Sequence, residues 1–418
     1  MHGPHFDHLD DIGPAKISPA VKVLMAVLGI VGMLAFAYGA FLGPEEGRTN
    51  VWVGFFVSSS FFFFLSMGAA IFLAIQYVTG ARWFVMLKRI PEAIASFSFQ
   101  GGFLFPLIAL AGTGYIYSWA APDRDYPLPG TLKATWLSPN VHAVKVLVYI
   151  GILTAMTFLL VQISRTPFVR GQYEVLRKKR LRFSILFVIV FGFVFSLYGW
   201  DALMSQEPHW FSTMFGVYCF AGAFQSALAV MMLLTFWLKK KNPEYLSEER
   251  QVYDVGTYVM CFSVFWMYIA FSQFMLIWYA NVPEETFFYM KRGYPPGMLE
   301  WEGVPINPMW LIFTAGVPVL KWVIPFFGLM PPNFRTSRLA QGLCCGAILV
   351  GQAADLWWIG APAHVSPSIW PGLLNVLTFM GVFGAFGFTV CNYLTSHAVV
   401  PVEGPDALSS VNGDYLHA

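Results

Sequence analysis

The chain has 418 residues, of which 57% are hydrophobic, 18% aromatic and only 11% charged, with a formal net charge of +2. Soluble domains run near ~45–50% apolar and ~25% charged. This composition, with a mean hydropathy of +0.60, excludes an ordinary soluble protein and the disordered, collagenous and nucleic-acid-binding classes, and makes lipid the solvent of most of the chain.

The first eighteen residues are polar and rich in Asp and His, with neither a basic n-region nor a small-residue cleavage site, so no cleaved signal peptide is expected. His2, His5 and His8 have a metal-like spacing but precede any predicted element, and no metal site is expected of them. Ten apolar runs of bilayer length follow. They are Pro19–Phe41, Val51–Tyr77, Ile94–Tyr117, Val141–Ile163, Phe183–Tyr198, Phe211–Trp237, Val255–Trp278, Pro308–Phe327, Leu339–Ile359 and Leu373–Tyr393, the fifth being the shortest. Trp and Tyr recur at their ends, for example Trp83, Trp119, Trp136, Trp200, Trp278 and Trp370, where amphipathic rings suit the headgroup layer. Only helices or closed barrels satisfy every backbone group in lipid, and the runs lack a barrel's alternation, so the fold class is all-α with about ten transmembrane helices.

Basic residues orient the chain. The connections after the second, fourth, sixth and eighth runs hold 16 Lys and Arg, including Arg82, Lys88, Arg89 and the cluster Arg177–Arg182, against 5 in the opposite connections (Arg48, Arg124, Lys133, Lys291, Arg292). The richer face is expected to be cytoplasmic, with both termini. The opposite face carries the longer connections, about Ser118–Asn140 and Tyr279–Asn307, which read as a docking surface for a periplasmic partner.

Spans two to five and six to nine echo each other. In each set a long connection joins the second and third helices, and the fourth helix carries an aspartate near its outer end: Asp201 follows Arg182 by 19 residues, and Asp355 follows Arg338 by 17. This predicts two four-helix bundles, 50–201 and 208–360, with flanking helices 19–43 and 370–398 and terminal segments 1–18 and 399–418.

Ionisable groups at membrane depth mark candidate sites. His142 and Lys145 share a face of the fourth span. Asp201 lies at the outer end of the fifth, Glu207 and His209 open the sixth, and Lys321 and Asp355 lie in the eighth and ninth. All but Lys321 gather toward the outer side, whereas Lys321 falls ~20 Å down its helix. A histidine and a carboxylate placed there can accept the two protons that quinol oxidation releases. Glu207 and His209 also read as interfacial loop and cap residues, and Lys321 as a structural lysine that snorkels or pairs with a polar neighbour. Gln100, Gln225, Gln273, Gln341, Gln352 and Asn392 are expected chiefly to bond between helices. Gly381, Gly384 and Gly387 are expected to form a close-packing face.

Five cysteines all fall in apolar runs, outside any CxxC or CxxCH arrangement, which argues against covalent haem c or a cysteine-ligated cluster in this chain. Only His142 lies well inside a span as a possible haem ligand, and no phosphate loop, dinucleotide fingerprint or catalytic triad pattern occurs. No redox centre of its own is expected.

Three segments carry a family resemblance: GWDALMSQEPHWFSTMFGVYCF at Gly199–Phe220, FSQFMLIWYANVPEETFFY at Phe271–Tyr289, and HAVKVLVYIG at His142–Gly151. They resemble the large membrane subunits of alternative complex III, a bacterial quinol:acceptor oxidoreductase, and specifically the ActF type, related to the NrfD or polysulfide-reductase membrane-anchor family. The resemblance runs over nearly the whole chain. It implies ten helices in two bundles with a flanking helix at each end. It also implies a hetero-oligomer in the bacterial inner membrane with a sibling NrfD-type subunit, a periplasmic iron–sulfur subunit and c-type haem subunits. The substrate implied is menaquinol or ubiquinol, with haem c and iron–sulfur clusters held by the partners. His142 and Asp201 fall where the family places its outer-side histidine and aspartate, and the sibling is the subunit usually given the quinol pocket. Secondary transport or a purely structural anchor are the competing expectations.

Overall fold

The computed structural model describes residues 13–120, 130–166, 173–241, 249–293, 300–301, 304–305, 309–363 and 372–399. His2, His5, His8, Arg124, Arg170 and Trp370 lie outside the described residues, as do parts of both long connections. The protein is an all-α, multi-pass membrane protein. Among the described residues ten helices are long and apolar enough to cross a bilayer: α1 Pro19–Leu42, α2 Gly47–Thr79, α3 Val85–Ala111, α4 Pro139–Ser164, α5 Glu174–Gln206, α6 Phe215–Lys241, α7 Gln251–Ala280, α8 Trp310–Leu329, α9 Arg338–Gly360 and α10 Leu373–Ser396. The described strands are the two-residue pair Glu300–Trp301 and Val304–Pro305.

Each predicted run matches a helix, with two informative shifts. α3 begins at Val85, nine residues before the apolar run, because its first turns carry Lys88, Arg89 and Glu92. All three are buried, so two cations that the sequence assigns to a loop lie inside the helical core. Arg292, assigned to the opposite loop, is fully buried as well. α5 is extended at its start by the basic stretch around Arg177–Arg182 and at its end by a π turn, Gly199–Leu203.

α2 is apolar on every face, as a helix enclosed on all sides must be. It packs against α3, α5, α6, α9 and α10, and α6 packs in turn against α5, α7 and α9. The two central helices meet closely at Gly68, where a side chain would collide with the carbonyl of Ala223. α1 and α10 pair with each other along their lengths. Their axes approach because Gly32 faces Gly381 and Gly384 faces Gly29; a Cβ on Gly381 would lie 2.7 Å from the Gly32 Cα. The predicted close-packing face of α10 therefore has α1 as its partner, the small-residue packing expected where apolar solvent gives helices no hydrophobic drive to associate.

Chain entry and exit are joined. Pro14 and Ala398 form a bridge, and Ala15 N–H donates to the Leu394 carbonyl at 3.1 Å. The two ends thus leave the bundle on one side, as an even number of spans requires.

Two helices are irregular where charge sits. α8 contains a π turn, Val319–Val323, between Pro318 and Pro325, and Lys321 lies in it. Asp201 lies in the π turn of α5. π turns are rare and recur at functional positions.

Candidate functional site

Asp201 is buried and accepts three bonds. Lys145 Nζ donates to Oδ1 at 2.8 Å, Trp136 Nε1 to Oδ1 at 3.0 Å, and the Tyr149 hydroxyl to Oδ2 at 2.9 Å. The ammonium also stands 3.8 Å from the Trp136 ring centroid. Lys145 and Tyr149 are four apart on α4, so helical spacing alone delivers both to the carboxylate on α5. Trp136 arrives from the short helix Leu132–Trp136.

His142 is fully buried in the first turn of α4, and neither ring nitrogen has a hydrogen-bond partner. It is held by aromatic contacts, with the Tyr117 and Trp119 rings at 4.7 and 5.1 Å. Those rings are fixed in turn: the Tyr117 hydroxyl donates to the Ala202 carbonyl at 2.8 Å and Trp119 Nε1 to the Ser205 carbonyl at 2.9 Å. Lys145, Trp136 and Tyr149 thus occupy the Asp201 carboxylate, and the His142 imidazole makes no hydrogen bond to it. A void of about 10 Å³ bordered by Phe56, Tyr117, Val146, Tyr198 and Ala202 adjoins the cluster. It is large enough for about one water.

The second bundle repeats this motif. Lys321 Nζ on α8 donates to Asp355 Oδ2 on α9 at 2.7 Å and to Gln352 Oε1 at 2.6 Å. The Tyr218 hydroxyl donates to Asp355 Oδ1, and the ammonium lies 4.0 Å from the Trp266 ring centroid. In each bundle, then, a lysine on the third helix meets an aspartate on the fourth, with a tyrosine on the carboxylate and a tryptophan on the ammonium. Lys321 and Asp355 are both fully buried. Lys321, which the sequence offered as a lysine paired with a polar neighbour, has a carboxylate, Asp355, and the Gln352 amide as its partners.

Glu207 lies in the connection after α5 and is buried. Lys291 Nζ donates to its Oε2 at 3.1 Å, and Arg292 Nη1 lies 3.8 Å from Oε1. Arg292 also donates to the carbonyls of Phe288, Trp358 and Ile359 at 2.7, 2.9 and 2.7 Å. Two of these carbonyls end α9, so the guanidinium caps that helix where cations are favoured. Burial pulls the Arg292 pKa down to about 10, against the opposing pull of Glu207. His209, by contrast, is exposed. Partial burial, then Lys133 and Lys291, hold its pKa below the usual histidine value, with Glu207 acting the other way.

A fourth cluster, on the basic face, was missed from the sequence. Glu92 on α3 accepts from Arg89 Nη1 at 2.6 Å, from the Tyr393 hydroxyl of α10 at 2.9 Å and from the Ser164 hydroxyl of α4, with Lys88 Nζ 3.9 Å away. The signal was present: Lys88 and Arg89 stand four and three residues before Glu92, the spacing of helical ion pairs.

Three of the six polar amides bond between helices as expected: Gln225 donates to Ser263 and to the Lys321 carbonyl, Gln352 accepts from Lys321, and Gln100 accepts from Thr389. Gln273 accepts from Ser212 in the connection between α5 and α6, and Gln341 donates to the Arg335 carbonyl just before its own helix. Asn392 is exposed. Among the described residues no three His, Cys, Asp or Glu side chains gather as a metal-binding group. Chemically, the arrangement offers buried carboxylates whose charge is balanced by lysine, tyrosines able to relay a proton, and one unbonded imidazole. Comparison with protein-family models and with curated proteins finds no match to this chain.

Proposed function

We propose that the chain is a membrane subunit of a quinol:acceptor oxidoreductase of the alternative complex III type, an ActF-like member of the NrfD family, in the bacterial inner membrane. Its basic face and both termini are cytoplasmic. The observation that carries this reading is the repeated Lys–Asp–Tyr cluster, Lys145–Asp201–Tyr149 and Lys321–Asp355–Tyr218, whose ion pairs join α4 to α5 and α8 to α9, with Tyr149 supplied by α4 and Tyr218 by α6. Buried ionisable groups in membrane helices are expensive and belong by default to ion or proton pathways. Duplication of the same costly device favours a shared task over accident.

Oxidation of one quinol yields the quinone, two protons and two electrons. Iron–sulfur and haem c centres held by partner subunits would take the two electrons. This chain supplies proton acceptors at the outer side: the His142 imidazole, unbonded at both nitrogens, and the Asp201 carboxylate, whose charge Lys145 balances and which Tyr149 holds by a hydrogen bond. The void that adjoins the cluster has room for about one water only, which supports placing the quinol ring at the boundary with the sibling subunit rather than inside this one.

The test is purification of the chain in mild detergent, identification of what accompanies it, and assay of quinol-dependent cytochrome c reduction. Co-purified haem and iron–sulfur subunits with activity are expected. A lone, colourless, inactive protein that catalyses solute uptake in vesicles would move it to the transporters, and one inactive in both assays would leave it an anchor.

A further inference from the structure

Five cations stand in the six residues Arg177–Arg182 near the start of α5. A helix turns successive side chains by about 100°, so the five meet different surroundings. Arg180 points inward and donates to the carbonyls of Ser164 at 2.7 Å and Thr166 at 3.1 Å. Arg177 lies 3.6 Å from Glu174, one turn earlier. Lys178, Lys179 and Arg182 are exposed, and among the described residues they find neither a hydrogen bond nor an ion pair.

These three line one groove of about 510 Å³, where α5 passes Ile163 at the end of α4, and Val175, Phe183 and Leu186 complete its wall. No acidic side chain lines it. The groove changes character along its length. Its cations end at Arg182, and from Phe183 to Tyr198 α5 carries no charged residue. Lys178 and Leu186 are eight residues apart, ~12 Å of helix, against a hydrocarbon half-thickness of ~15 Å. The groove therefore leads from the headgroup layer of the basic face into the acyl layer.

We propose that this groove binds an anionic phospholipid of the leaflet on the basic face, its phosphate on Lys178, Lys179 and Arg182 and an acyl chain along Ile163, Phe183 and Leu186. The guanidinium fork matches phosphate oxygens two at a time, and the two ammonium groups add point charge. Basic pockets between membrane helices suit such headgroups. A zwitterionic lipid brings an ammonium of its own, which three uncompensated cations repel. Inorganic phosphate shares the charge of the headgroup but leaves the apolar half of the groove unfilled. The site requires only that α4 and α5 span the bilayer, and so is independent of any quinol chemistry.

The full chain, purified in mild detergent, is titrated with phosphatidylglycerol, phosphatidylcholine or inorganic phosphate, and occupancy is read by native mass spectrometry. Phosphatidylglycerol is expected to bind in preference to the other two. Lys178→Gln with Lys179→Gln weakens that binding about thirtyfold, or about 2 kcal/mol, the sum expected of two cations at a lipid surface. Lys240→Gln with Lys241→Gln removes equal charge at the end of α6, from exposed residues that do not line the groove, and leaves binding unchanged. Lys178→Gln alone gives a loss of about fivefold and covers the case in which the groove double variant misfolds. Equal losses in the two double variants, equal binding of the two lipids, or binding of phosphate without lipid would each overturn the assignment.

Discussion

Lys321 Nζ lies 2.7 Å from Asp355 Oδ2 between α8 and α9, and the relationship is repeated by Lys145 and Asp201 between α4 and α5 at 2.8 Å. The copies differ in wetness. The Lys145 and Asp201 side chains keep about a tenth of their surface exposed, 10% and 8%, whereas those of Lys321 and Asp355 keep 0% and 1%. The first pair thus reaches the surface and the second is sealed, which decides the consequences of breaking each.

Asp355→Asn leaves the Lys321 ammonium buried without its counter-ion. Removing one partner of a buried pair costs about 3–5 kcal/mol, so the melting temperature in detergent should fall well below that of the parent. The double change Lys321→Met with Asp355→Leu should recover most of the loss. A single variant as stable as the parent would show that the pair contributes nothing to the fold.

Glu92→Gln removes the charge that balances Lys88 and Arg89 and weakens a junction of α3, α4 and α10. Arg89 also donates to the Ala398 carbonyl at 3.2 Å, so this change should loosen the paired chain ends. Limited proteolysis should cleave the variant near residues 396–399 faster than the parent, and equal rates would argue against coupling.

Gly381→Val places a side chain against the α1 backbone at Gly32 and is expected to destabilise by about 1–3 kcal/mol through overpacking. Gly346 has nothing within 4 Å of an added Cβ, so Gly346→Ala should be neutral. Thermal melts of the two variants make the comparison, and a neutral Gly381→Val would contradict the close α1–α10 approach.

His209 gives a pH dependence whose sign is fixed. Its folded pKa lies below the ordinary value, through burial first and then Lys133 and Lys291. Below about pH 6.5 the unfolded chain binds more protons at this position than the folded one, so stability falls as pH drops through that window and is restored as it rises. His209→Gln should flatten the melting temperature against pH there; an unchanged slope would assign it to other groups.

The order and number of the helices were legible because apolar runs of bilayer length are the strongest signal a sequence carries. The start of α3 was not, since a count of apolar residues stops at Lys88, Arg89 and Glu92, and only their mutual spacing tells that they neutralise one another. The site was legible as residue types and not as pairs. Lys145 and Tyr149 share a helix face that any reader can draw, but Lys321 and Asp355 are 34 residues apart, and their meeting depends on the packing of α8 against α9. The burial of Glu207 was not legible because nothing local reveals that Lys291 and Arg292 return to cover it.

The most direct test of proton acceptance at the outer side is the assembled complex carrying Asp201→Asn, assayed for quinol-dependent cytochrome c reduction and for protons released per electron. The account predicts an intact assembly whose rate falls about a hundredfold or more, the low end for loss of a positioned proton acceptor, with altered proton release. Unchanged rate and unchanged stoichiometry in an intact assembly would contradict it.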